Sequence, residues 1–111
     1  MKTRIAIIGG GASGMMAAIV AAEHGAEVWI YESKDRLGKK ILATGNGKCN
    51  FTNANMDLSF FHGDRTLIEE VLRQFSQEDC LSFFRELGVY PKNKNGYYYP
   101  NSEQASSVVM A

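Results

Sequence analysis

The residues best suited to chemistry here are small ones and one acid. Gly9-x-Gly11-x-x-Gly14 is followed, about 20 residues on, by Glu32. Glycines at this spacing do three jobs when they join a strand to a helix. The first permits a sharp turn, the second lets a pyrophosphate approach the backbone, and the third lets helix and strand pack closely. The free N–H groups and positive end of the helix then face the phosphates. A carboxylate at Glu32 can accept hydrogen bonds from adenosine ribose hydroxyls and would repel a 2′-phosphate. This disfavours NADP as the ligand of the motif. The competing reading is a glycine turn that serves packing only.

Elements of the right kind surround the motif. Thr3–Ile8 is short, apolar and β-branched, as expected of a buried parallel strand. Ala12–His24 is rich in Ala, Met and Ile, with Gly25 as a C-terminal stop. Glu27–Glu32 reads as a second strand. Strand, helix and strand in this order imply a parallel βαβ unit with a right-handed crossover. Two other phosphate loops fail. A Walker A loop needs Lys after its last glycine, where Met15 stands, and Gly47-Lys48 lacks the earlier glycine, Leu42 occupying that place. A kinase glycine loop would run into a strand, not an Ala-rich helix.

Downstream, residues 33–55 are rich in Gly, Lys and Asn and read as a long extended loop. Thr66-Leu-Ile-Glu69 predicts a capping box, with Leu67, Ile68, Val71, Leu72 and Phe75 at helical spacing. Ser76-Gln-Glu-Asp79 predicts a second helix start, with Gly88 as its stop. Together these suggest a helical hairpin over residues 66–87. Asn95-Gly96 between two β-like runs predicts a β-hairpin, and a third helix is expected from Asn101 or Ser102. The fold class is therefore α/β: the N-terminal part of a Rossmann-like domain, then a helical hairpin and a short β-hairpin. A doubly wound sheet has more parallel strands than the two seen here. Residues 1–111 thus read as a partial cofactor-binding domain whose C-terminal remainder is absent.

Twelve acidic and twelve basic residues give a net charge of zero, which argues against a nucleic-acid partner held by a general positive field. No stretch is long enough to span a membrane. Lys2 and Arg4 before an apolar run ending in Ala21-Ala22 superficially suggest a secretory signal. Four glycines and Glu23 argue against it, and a cytoplasmic location is expected. Cys49 and Cys80 form no CxxC, and no His cluster accompanies them, so neither a metal site nor a disulfide scaffold is expected. Cys49 reads as a packing residue, and His24 and His62 show no catalytic spacing. Tyr97, Tyr98 and Tyr99 read as hairpin packing. An exposed sheet edge makes a homo-oligomer one way to cover it.

The run Leu37-Gly-Lys-Lys-Ile-Leu-Ala-Thr-Gly-Asn-Gly-Lys-Cys-Asn-Phe-Thr-Asn53, taken with the glycine motif and Glu32, resembles the BaiN/YhiN-like family of FAD-dependent oxidoreductases. Gly96-Tyr-Tyr-Tyr-Pro-Asn-Ser and Gln104–Val109 look like a further family stretch. The resemblance implies FAD as cofactor, with NAD(P)H as a candidate reductant. It places Gly9, Gly11, Ala12, Ser13 and Gly14 on the pyrophosphate, Glu32 on the ribose and Ser33 beside it. Gly38, Lys40, Thr44, Gly45, Asn46, Gly47, Cys49 and Asn50 would line the path toward the flavin. Lys34, Arg36, Lys39, Lys40 and Lys48 read equally well as a solvated cationic face. Lys48 and Tyr97 stand where the family often carries Arg. The resemblance names neither a catalytic acid or base nor a substrate. An NAD-binding dehydrogenase domain, a tRNA-modifying flavoprotein related in fold and a fragment without tight binding stay open as alternatives.

Overall fold

The computed structural model describes residues 1–111. β-branched residues in register build the first sheet: β1 (Arg4–Ile8) lies parallel to β2 (Glu27–Tyr31), with Ile5 opposite Val28 and Ile7 opposite Ile30. Helix α1 (Ala12–Glu23) makes the crossover and packs on both strands. It ends where Gly25 turns left-handed (φ +89°), a conformation that costs glycine little.

α1 covers only one face of this sheet. On the other, Ile8 is 84% and Tyr31 58% exposed, with Trp29 beside them. The expectation of a buried strand is corrected accordingly. Its composition suits burial on both faces, but a single helix shields one of them.

The middle segment is more ordered than an extended loop. Two 3-10 turns run over Ile41–Gly47, kinked at Thr44–Asn46, and β3 (Thr52–Asn53) pairs antiparallel with β5 (Tyr97–Pro100). β4 (Pro91–Lys94) completes this second sheet, in the order β3-β5-β4. Asn95 and Gly96 make the β4–β5 turn with φ of +55° and +89°, the left-handed pair such a turn demands.

Helices α2 (Arg65–Gln74) and α3 (Gln77–Glu86) both form. α3 opens on the expected box, with Ser76 and Asp79 capping each other. α2 does not begin at a Thr66 box. Asp64 is its N-cap, accepting from the Leu67 N–H at 3.0 Å, while Glu69 pairs with Arg65. α2 also leaves Leu67, Val71 and Phe75 exposed, so its apolar stripe does not close onto α3 as a buried hairpin would require. The core lies instead under α3, where Leu81, Val89, Cys49, Pro100 and Ala105 are buried. Phe51 stacks on Phe84 there, with ring centroids 4.5 Å apart. The last helix, α4 (Ala105–Met110), starts three or four residues later than expected, because Glu103 takes a left-handed φ of +55°. α4 packs on the Ile41–Gly47 turns, and a Cβ on buried Gly38 would meet Val109 at 2.8 Å.

Candidate functional site

The glycine turn, the end of β2 and the start of the Lys-rich segment enclose a cavity of about 350 Å³ lined by Gly10, Gly11, Glu32, Lys34, Lys39 and Lys40. That volume lies at the lower end of the roughly 300–1,000 Å³ usual for small-molecule sites.

Helix α1 opens toward this cavity without a cap. No side chain caps it, and its first turn carries no acid. Its first backbone hydrogen bond runs from the Met15 N–H to the Gly11 carbonyl at 2.9 Å, which leaves the N–H groups of Gly11, Ala12, Ser13 and Gly14 without a protein acceptor. Such a helix start offers both hydrogen-bond donors and a partial positive charge to an anion.

The glycines differ in what the fold asks of them. A Cβ at Gly14 would stand 2.0 Å from the Gly9 carbonyl oxygen, so close packing of helix on turn requires glycine there. A Cβ at Gly11 would meet nothing within 4 Å, and its backbone (φ −81°, ψ −168°) is extended, a conformation open to any residue. Within the chain nothing demands glycine at this position. A phosphate lying against the backbone would.

Glu32 is tied to the turn. Its Oε1 accepts from the Gly10 N–H and its Oε2 from the Lys34 N–H, both at 2.8 Å, and the Ser33 hydroxyl donates to Oε2 at 3.5 Å. The Lys34 and then the Gly10 N–H hold its carboxyl below the usual range, so it is ionised at neutral pH. Oε1, which accepts only from Gly10, keeps a lone pair for a further donor.

Gly10, the unspecified residue of the motif, escaped the sequence reading. It is buried, donates to Glu32 and accepts from the Gly38 N–H at 2.7 Å, so it joins the turn to the second segment. A Cβ there would lie 2.3 Å from Leu37 Cδ2. The run of three glycines was the available signal.

Among the cations, Asp35 takes Lys39 at 3.0 Å and Arg36 at 3.1 Å, which holds the Asp35 carboxyl low. Lys34 and Lys40 have no acidic partner and face the cavity with free charges.

The structure thus gathers Gly11, Glu32 and Lys40 around one cavity, with Gly9, Ala12, Ser13 and Gly14 in the adjoining turn and helix start. Gly38 is hydrogen-bonded to that turn. Thr44, Gly45, Asn46, Gly47, Cys49 and Asn50 do not line this cavity. The Thr44 hydroxyl donates to the Ile41 carbonyl, and the Asn50 amide donates to the Thr52 and Tyr98 carbonyls. Cys49 is 6% exposed, and burial pushes its thiol up. The fold also brings Cys80 near enough for the Cys49 charge to add to its own burial, a proximity hidden by their separation in sequence. No cluster of His, Cys, Asp and Glu could hold a metal ion, and no helix is long and apolar enough to cross a membrane.

The sequence profile of the HI0933-like protein Rossmann domain matches residues 3–111. The chain belongs to that family. It is 54% identical over 109 residues to the 3-dehydro-bile acid delta(4,6)-reductase of Clostridium scindens, covering 96% of this chain and 27% of that protein. It is 31% identical over 84 residues to the ribosomal RNA dihydrouridine synthase of Haemophilus influenzae, covering 75% of this chain and 21% of the relative. Over 41 residues it is 44% identical to the NADH oxidase of Thermoanaerobacter brockii, 37% of this chain and 6% of that protein. The chain therefore spans about a quarter of the length of the first of these relatives. Its domain is of the Rossmann dinucleotide-binding type, in the company of oxidoreductases.

Proposed function

We propose that the cavity at the α1 start holds FAD, and that the chain supplies the cofactor-binding portion of a flavin-dependent oxidoreductase. The observation that carries this reading is the open Gly11 backbone beside four unpartnered N–H groups, with an ionised Glu32 across the cavity. In this reading the pyrophosphate lies against Gly9, Gly11, Ala12, Ser13 and Gly14. Glu32 accepts from the adenosine ribose hydroxyls, held in place by Gly10, Lys34 and Ser33. Lys40, and Lys34 with it, offset the phosphate charge that burial would otherwise make costly.

In the same reading Gly38, Thr44, Gly45, Asn46, Gly47, Cys49 and Asn50 lead from this cavity toward the flavin ring. Bound FAD would supply hydride transfer between a reduced and an oxidised partner, NAD(P)H being a candidate donor. The residues described here bind and orient; with its thiol raised by burial, Cys49 stays protonated at neutral pH and contributes packing. The larger domain to which residues 1–111 would contribute is part of the same proposal.

Retention of flavin through gel filtration tests it, with Glu32→Ala as control and NADH as competitor. The visible flavin spectrum should persist at one equivalent in the wild type and fall in the variant. Retention of NADH in place of flavin would select the NAD-binding reading. Retention of neither, by this chain or by a longer one containing it, would reject the dinucleotide assignment.

A further inference from the structure

A second charged site lies on the β4–β5 hairpin and shares no residue with the cavity at α1. Three lysines converge there on one carboxylate. The Lys94 Nζ is 2.6 Å and the Lys48 Nζ 3.9 Å from Glu103 Oε1, and the Lys92 Nζ is 3.1 Å from Oε2. Two positive charges remain uncompensated, in a chain whose net charge is zero. The cations come from separate parts of the chain, Lys92 and Lys94 from alternate positions of β4 and Lys48 from the end of the 3-10 turns. Lys94, then Lys92, hold the Glu103 carboxyl down at about 2, which reflects how strongly the cluster favours negative charge.

An aromatic groove adjoins it. Tyr97 is the cross-strand partner of Lys94, and paired residues share one face of a sheet. Tyr97 also lines a cavity of about 510 Å³ at the hairpin tip, with Phe60, Phe61, Met56, Asn53 and Asn55. Phe60 is 65% and Tyr97 50% exposed. Flat apolar faces beside uncompensated ammonium groups match a ligand that has a planar ring and a phosphate.

We propose that this face binds a nucleotide, its phosphate on Lys48, Lys92 and Lys94 and its base against Phe60, Phe61 and Tyr97. Glu103 then acts as an internal competitor that holds the lysines together and weakens the anion's hold. The ligand is a nucleoside phosphate, either free or within a single-stranded chain.

Titration of the protein with CMP, with inorganic phosphate and with an oligocytidylate, followed by amide NMR shifts, tests the proposal. Shifts at residues 92–97 and Lys48, separate from any at Gly9–Gly14, are the expected result. Glu103→Gln removes one opposing charge at contact distance and should tighten CMP binding about fivefold. A purely structural ion cluster would give no such gain. Lys92→Gln with Lys94→Gln should weaken both CMP and phosphate, and Lys48→Gln gives the same direction if the double variant does not fold. Phe60→Ala should weaken CMP and leave inorganic phosphate unchanged. Tighter binding of the oligomer than of CMP would identify a chain as the source, and equal binding a free nucleotide. No shift at the hairpin in either the wild type or Glu103→Gln, or shifts that survive removal of the lysines, would overturn it.

Discussion

The glycine turn and the α2–α3 region treat their helix starts in opposite ways. α3 begins on a reciprocal Ser76–Asp79 box with Glu78 and Asp79 in its first turn, and α2 begins on Asp64. α1 begins on Gly11 with no cap, no acid and four N–H groups unpartnered. The starts of α2 and α3 are satisfied from within the chain by the Asp64, Ser76 and Asp79 side chains. Where the end is left open, a ligand can supply the missing acceptors, and an acidic first turn would repel a phosphate. Gly14 and Gly11 show the same division inside the motif itself, the former needed for packing and the latter with open space where a Cβ would stand.

Gly14→Ala should sharpen this contrast most. The added methyl collides with the Gly9 carbonyl, so stability should fall by about 1–3 kcal/mol, read from urea unfolding, and retained flavin should fall with it. Gly11→Ala should separate the two effects. Its methyl enters open space, so stability should change by no more than about 1 kcal/mol. Flavin affinity should nevertheless drop at least about tenfold, the scale of one lost hydrogen bond to a charged group. Equal losses of stability in the two variants would break the distinction between packing glycine and ligand glycine.

Ser76→Ala is the converse control. It should cost about 1 kcal/mol through the lost cap and leave flavin retention unchanged. The smallest effect concerns acid. Glu103 has its folded-state value lowered from 4.5 to about 2, so its contribution is fully present above about 4.5 and is lost as pH falls toward 2. Unfolding followed from pH 5 to pH 2 should show a shallower acid limb in Glu103→Gln. The group is only partly buried, so added salt should shrink the difference.

How far each feature was legible depended on the range of the interactions behind it. The glycine spacing, the flanking strands and Glu32 were readable because each element is specified by its own neighbours. The same holds for the Ser76 box, the Gly25 and Gly88 stops and the Asn95-Gly96 turn. Asp64 displaced Thr66 as the cap of α2 through a local competition in which the better-placed acceptor won. β3 could not be read from two residues, since Thr52 and Asn53 become a strand only by pairing with Tyr98 and Tyr97. Gly10 looked like an arbitrary position until the Glu32 and Gly38 bonds gave it partners.

By itself, then, the sequence determined a βαβ unit with a dinucleotide-type turn, because local periodicity and turn chemistry act within a few residues of one another. Tertiary structure alone decided that Ile8 and Trp29 lie on an uncovered sheet face and that Cys80 comes near Cys49. It alone gathered Lys48, Lys92 and Lys94 on Glu103. Each of these joins residues distant in sequence, and such contacts exist only once the chain between them has been ordered at an entropic cost that no local pattern reveals.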